Sequence, residues 1–152
     1  FMVNCHVAHD CVVGNNVIMT NNAVIGGHTR VGDGAILGGN CAVHQFCRIG
    51  RKAMVGGMTG ISRDVIPFGM VTGDRGKLRG LNLVGMRRSG MDASEIKTIT
   101  HAYMYIFKSN EDNFETRVAK AREKYKDNRT IMEIIEFIDD AMIGRRNVLI
   151  AE

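Results

Sequence analysis

From Val7 onward every sixth residue is aliphatic or methionine: Val7, Val13, Met19, Ile25, Val31, Leu37, Val43, Ile49, Val55 and Ile61. Phe1 extends the series backward. Two residues before each member stands a small side chain: Cys5, Cys11, Val17, Ala23, Thr29, Ala35, Cys41, Cys47, Ala53 and Thr59. The slot after the aliphatic residue is glycine at 14, 26, 32, 38, 50 and 56, and the next two slots are mostly Asn, Asp or Gly. Those residues tolerate the left-handed backbone angles of tight corners. A helix repeats every 3.6 residues and a half-buried strand every two, so an unbroken six fits neither. It fits a stack of short strands, each followed by a corner, with the aliphatic residue inside and the small one beside it at the turn. The composition agrees: eighteen glycines against one proline in 152 residues provide corners rather than a disordered linker.

The pattern resembles that of hexapeptide-repeat proteins, which implies a left-handed parallel β-helix with three hexads per coil. The left hand comes from that resemblance, because the general crossover rule favours the right hand. Pro67 takes the next interior slot and the repeat stops there, so residues 1–66 are expected to be the β-helix. Phe1 is already in phase and no polar cap precedes it, which predicts that the chain is a piece of a longer β-helix. Residues 67–91 read as a Gly-rich, basic connector, and 92–152 as a helical domain. Asp92 with Glu95 starts the first helix as a capping box, with Ile96, Ile99, Tyr103, Ile106 and Phe107 on one face. A second helix is expected over about 111–126, with Phe114, Val118, Ala121 and Tyr125 on one side. A third is expected to start near Thr130, box-like with Glu133, using Ile131, Ile134, Ile135 and Ile138. The tail NVLIAE is assigned no element.

No apolar run approaches the roughly 18 residues that cross a bilayer, so an integral membrane segment is not expected. Basic residues exceed acidic ones chiefly in the connector, through Arg75, Lys77, Arg79, Arg87 and Arg88. That stretch is either a solvated surface or a site for phosphates or an acidic protein. Few aromatics accompany it, which argues against nucleic acid.

The breaks in the repeat point to function. If three hexads make a coil, residues 18 apart lie one above another. That stacks His9, Gly27 and Gln45 in one column, and Asn21, Gly39 and Gly57 in a second. Ile18, Ile36 and Met54 form an outward apolar ladder, either a seam between identical chains around a symmetry axis or a hydrophobic groove. All four cysteines fall in the small-residue slot, so they are packing residues. Disulfides are not expected and a reducing, cytoplasmic compartment fits. Four histidines, His6, His9, His28 and His44, fall outside the interior slots. His6 and His9 could share a zinc ion, but no third ligand is compelled. Alternatively His9 is a base whose tautomer is fixed by Asp10. The bland reading of each is a polar surface residue.

The segments NCHVAHDCVVGNN, AVIGGHTRVGD, AVHQFC, MVGGMTG and GLNLVG closely resemble the bacterial UDP-N-acetylglucosamine O-acyltransferases, which begin lipid A synthesis. The resemblance covers residues 1 to about 107 well, and the last two helices only in placement. It implies a homotrimer with sites between chains, no metal and no cofactor beyond the phosphopantetheine of the acyl carrier protein that brings the 3-hydroxyacyl chain. It implies His9 as the general base, Asp10 as its support and Gly27 as the oxyanion donor. His6, His28, His44 and Gln45 match positions lining the nucleotide-sugar cleft, and Gly57 matches the floor of the acyl groove. Asn82 and Arg88 match ligand contacts. The chain departs from the family where Val84 replaces a glutamate, Ser89 an arginine and Arg75 a histidine. Two other readings stand beside it: a zinc hydratase of the hexapeptide-repeat carbonic anhydrase type, and a trimeric β-helix without activity.

Overall fold

The computed structural model describes residues 1–144 and 146–149. Ten two-residue strands run from β1 (His6–Val7) to β10 (Gly60–Ile61), one per hexad. They sort into three parallel faces: β1, β4, β7 and β10 on the first; β2, β5 and β8 on the second; β3, β6 and β9 on the third. Each strand from β1 to β7 pairs with the one 18 residues on, as in His6 with Val24, Val24 with Ala42, and Ala42 with Gly60. Three hexads per coil are therefore observed, and the chain forms a triangular parallel β-helix.

The corners are built as the sequence requires. Asn4, Asp10, Asn16, Asn22, His28, Asn40, Phe46, Lys52 and Met58 all hold φ between 55° and 65°, and Gly34 takes the same slot at 67°. This left-handed conformation turns the chain by one face every six residues. Asn and Asp enter it most easily, which explains their abundance there. The interior column runs from Met19 through Ile25, Val31, Leu37, Val43, Ile49 and Val55 to Ile61, all buried, with Ala23, Thr29, Ala35, Cys41, Cys47, Ala53 and Thr59 beside them. Burial pushes the thiols of Cys41 and Cys47 up to about 11, so both are protonated and unreactive at neutral pH. All four cysteines are free.

Past Ile61 the coil shortens by two residues: Ile49 pairs with Val65, and Val55 with Val71. The stack therefore gains one more rung on the third face, where β11 (Gly69–Thr72) adds to β9 and then folds back on β12 (Lys77–Leu81) as an antiparallel hairpin. The sequence reading missed this hairpin because the two-residue slip destroys the period of six. A short helix follows, α1 (Leu83–Arg88), then α2 (Ala93–Lys108), α3 (Phe114–Lys124) and α4 (Arg129–Ile143). Asp92, Asn113 and Asn128 cap the last three, each accepting a backbone N–H three residues on. The third long helix thus begins at Arg129, close to the expected Thr130, with Asn128 rather than Thr130 as its cap. Glu133 does not close a capping box there, because both its oxygens are taken by Arg51 of the β-helix, at 3.0 and 2.7 Å.

Two arginine clamps hold α4 against the second face. Besides Arg51, Arg48 donates to the Phe137 carbonyl at 2.8 Å and stacks 4.1 Å over the Phe137 ring. Arg48 also bonds Asp64, which is 1% exposed and receives Arg146 from the chain's tail. Asn147 accepts the Asp64 N–H, and Leu149 donates to the Asp64 carbonyl. Arg145 and 150–152, part of the expected helical domain and its tail, lie outside the described residues. No helix among the described residues is long and apolar enough to cross a membrane.

Asp64→Ala leaves two guanidinium groups facing a vacated, buried position. It should cost about 3–5 kcal/mol, read from urea denaturation followed by circular dichroism; a loss below about 1 kcal/mol would show that this carboxylate does not hold the tail to the β-helix.

Candidate functional site

Three corner turns of one prism edge, between the first and second faces, carry most of the residues singled out from sequence. The lowest turn brings His9 and Asp10, the next Gly27 and His28, and the third His44, Gln45 and Phe46. His6 lies on the strand leading into the lowest turn. Coil stacking sets their order: the His28 N–H donates to the His9 carbonyl at 3.0 Å, and the Phe46 N–H to the Gly27 carbonyl at 2.9 Å.

Neighbours in a strand point apart, yet His9 Nδ1 and Asp10 Oδ2 are 2.9 Å apart. The left-handed backbone at Asp10, φ 57°, swings its carboxylate back onto the ring. The His9 hydrogen bond, helped by the charge of nearby His28, holds the Asp10 carboxyl below its ordinary range, so it is ionised at neutral pH. An ionised carboxylate only accepts, so Nδ1 carries the proton and Nε2 is left with a free lone pair. Both side chains are open, 71% and 66% exposed.

Gly27 packs against that imidazole. A Cβ placed there would sit 2.7 Å from His9 Cε1 and Nε2, closer than real contacts allow. The N–H groups on either side are used, Gly26 on Val43 and His28 on His9, whereas the Gly27 N–H donates to no acceptor among the described residues. The chain shows what such an N–H can do: Asn15, in the same hexad slot, donates its N–H to a carboxylate oxygen of Asp33 at 2.7 Å. An outward amide in this slot is thus oriented for an anionic oxygen.

His28 is held from both sides. Its ring meets His9 edge-on at 5.1 Å and stacks on Phe46 at 4.7 Å, tilted by 3°. Phe46 was not among the residues expected at the site; its place 18 after His28 was the available signal. His44 Nδ1 lies 3.1 Å from the Gln45 carbonyl oxygen. One ligand atom each from His9, Asp10 and His28 lie within 4.8 Å of one another, so these three could hold a divalent ion.

Three expected residues are elsewhere. Gly57 sits on the next prism edge, between the third and first faces, against the Gly39 carbonyl. Asn82 is buried and structural: it caps α1 through Gly85 and donates to the Lys52 carbonyl, each at 3.0 Å. Arg88 borders a cavity of about 460 Å³ on the third face, lined by Ile36, Met54, Met70 and Val84. The outward ladder of Ile18, Ile36 and Met54 continues there to Met70. In a triangular prism the third face lies opposite the His9 edge.

A family model described as UDP N-acetylglucosamine O-acyltransferase, domain 2, matches residues 64–148. The chain is 48% identical over 138 residues to the acyl-[acyl-carrier-protein]–UDP-N-acetylglucosamine O-acyltransferase of Rhizobium leguminosarum bv. trifolii, covering 91% of the chain and 50% of that protein. It is 46% identical over 110 residues to the protein of the same name from Anaeromyxobacter dehalogenans, covering 72% and 43%. The structure superposes on Arabidopsis UDP-N-acetylglucosamine acyltransferase with a TM-score of 0.91 at 38% identity, over 96% of this chain and 52% of that one. For the Moraxella catarrhalis UDP-N-acetylglucosamine O-acyltransferase the values are 0.89 and 36%, over 98% and 56%. The chain spans about half the length of the relatives it matches.

Gly27 has an ordinary backbone φ, so alanine is admitted by the main chain and only the His9 ring must yield. A crystal structure of Gly27→Ala should show the imidazole displaced and the 2.9 Å contact with Asp10 lost, with a melting temperature within about 4 °C of the parent, equivalent to no more than about 1 kcal/mol. An unmoved ring would contradict the packing described.

Proposed function

The chain belongs to the UDP-N-acetylglucosamine O-acyltransferase family, and from that premise we propose that it forms the part of an acyltransferase that moves a 3-hydroxyacyl chain from acyl carrier protein to the 3-hydroxyl of UDP-N-acetylglucosamine, the first step of lipid A synthesis in the cytoplasm. The observation that carries this reading is the hydrogen-bonded geometry of His9 and Asp10 beneath a bare Gly27 amide.

His9 Nε2 takes the proton of the sugar 3-hydroxyl as that oxygen attacks the thioester carbonyl. Asp10 fixes the tautomer and stabilises the imidazolium that forms. The carbonyl oxygen becomes an oxyanion and receives the Gly27 N–H, a preorganised donor worth about 10²–10³ in rate. Collapse of the tetrahedral intermediate breaks the carbon–sulfur bond, and the departing thiolate recovers the proton from His9. His6, His28, His44 and Gln45 line the same edge and bind the nucleotide sugar, with His28 held rigid by Phe46.

The apolar cavity bounded by Ile36, Met54 and Met70, with Arg88 at its rim, suits an acyl chain or the sugar nucleotide's anionic end. It lies on the face opposite His9, as Asn82 does, while Gly57 occupies another edge. All of them meet in one site only if the third face of one chain faces the His9 edge of another. A homotrimer packed through the outward ladder does this.

The test is mass spectrometry of the product formed from UDP-N-acetylglucosamine and 3-hydroxyacyl carrier protein, in a protein of its relatives' full length. His9→Ala should lower kcat/KM about 10²–10⁴-fold; turnover within threefold of the parent would remove His9 from the chemistry. The grouping of His9, Asp10 and His28 also admits a zinc hydratase. Elemental analysis should find far less than one zinc per chain, and about one per chain, lost together with activity on chelation, would favour that reading instead.

A further inference from the structure

The edge that carries the proposed base and oxyanion donor ends in a free guanidinium. Above His44, Gln45 and Phe46 the last corner, Ser62 to Asp64, closes the edge two coils above Gly27. Arg63 stands there, exposed. Its neighbours Arg48 and Arg146 are paired with Asp64, but Arg63 has no ion pair or hydrogen bond among the described residues.

The space around it forms a path. Arg63 lines a cavity of about 600 Å³ with Phe114, Glu115, Met142 and Arg146. A second cavity, about 560 Å³, runs from His28 and Phe46 to the same Arg146. Both are lined by Arg146, so open volume runs beside the prism edge from His28, the neighbour of Gly27, up to Arg63. Two coils at about 4.8 Å each put the Arg63 backbone roughly 10 Å above Gly27. The donor's pantetheine arm places about thirteen bonds between thioester sulfur and phosphorus. At the reach of an extended chain, about 3.4 Å for every three bonds, that is roughly 15 Å. A thioester whose carbonyl meets the Gly27 N–H, with its arm along this edge, therefore delivers its phosphodiester within reach of the Arg63 side chain. The walls suit such an arm, apolar at Phe114 and Met142 and cationic at the end. Glu115 is the one carboxylate among its lining residues, and no ion pair joins it to Arg63 among the described residues.

We propose that Arg63 is the binding residue for the phosphodiester of the donor's phosphopantetheine, so that this prism edge fixes the donor at both ends. The proposal rests on the acyltransferase reading and adds the course of the arm.

The test compares two donors in the full-length enzyme: a 3-hydroxyacyl phosphopantetheine and the same thioester on pantetheine without phosphate. Arg63→Ala should raise KM for the phosphorylated donor about tenfold, equivalent to about 1.4 kcal/mol, and leave KM for the other donor unchanged, with kcat within twofold. Arg63→Lys should recover part of the loss. Arg30→Ala, which removes a guanidinium without a partner among the described residues, on the same coil as Gly27, should leave both values unchanged. The proposal is overturned if Arg63→Ala affects both donors equally, affects neither, or raises KM for UDP-N-acetylglucosamine instead, or if Arg30 rather than Arg63 carries the phosphate dependence. Wild-type enzyme that transfers nothing from either donor would defeat the acyltransferase reading itself. In that event calorimetry with free phosphopantetheine decides the subsite: binding lost in Arg63→Ala supports it, and equal binding overturns it.

Discussion

Backbone hydrogen bonds between successive coils set the height of every side chain on the prism. Because each strand pairs with the one 18 residues on, a residue's position modulo 18 decides its face or edge, and its coil decides its level. The left-handed corners keep that register: a corner that failed to turn would send each later side chain to another face. The closeness of His9, Asp10, Gly27 and His28 is thus a consequence of the ladder rather than of local attraction. His9 and Asp10 are largely exposed, and nothing in one chain packs them together except the backbone beneath.

The same register keeps some expected partners apart. Arg88 and the Ile36–Met54–Met70 ladder occupy the face opposite His9. A rigid prism cannot bend to unite an edge with its opposite face, so the proposed reading requires a second chain to bring the two together. The helices contribute differently: α4 is clamped to the second face by Arg48 and Arg51, and the tail is tied down by Asp64. Two arginines that nothing in the sequence pattern marks, Arg48 in a strand and Arg51 at a corner, are the fastening of the C-terminal region.

Much of this was legible in the sequence because a period of six is hard to satisfy by accident. The interior column, the role of the cysteines and the stacking of His9 with Gly27 all followed from counting. The hairpin of β11 and β12 did not, since the two-residue shortening after Ile61 breaks the count where it would have to continue. The cap of α4 was misassigned because Thr130 and Glu133 imitate a capping box, while Asn128 holds the cap and Glu133 is engaged by Arg51. Asn82 was expected at a ligand, and its side chain already bonds Gly85 and Lys52, with one amide proton and one lone pair left over. Spacing shows which residues share a column; it does not show which hydrogen bonds they have already made.

The most direct measurement is a crystal structure of the full-length protein with UDP-N-acetylglucosamine bound. The sugar 3-hydroxyl oxygen should lie about 2.6–3.2 Å from His9 Nε2, with Gly27 N–H open to the space where the thioester carbonyl arrives and the nucleotide reaching the third face of a second chain. A sugar whose 3-hydroxyl lies beyond the reach of His9, or one bound wholly within a single chain, would contradict the site described.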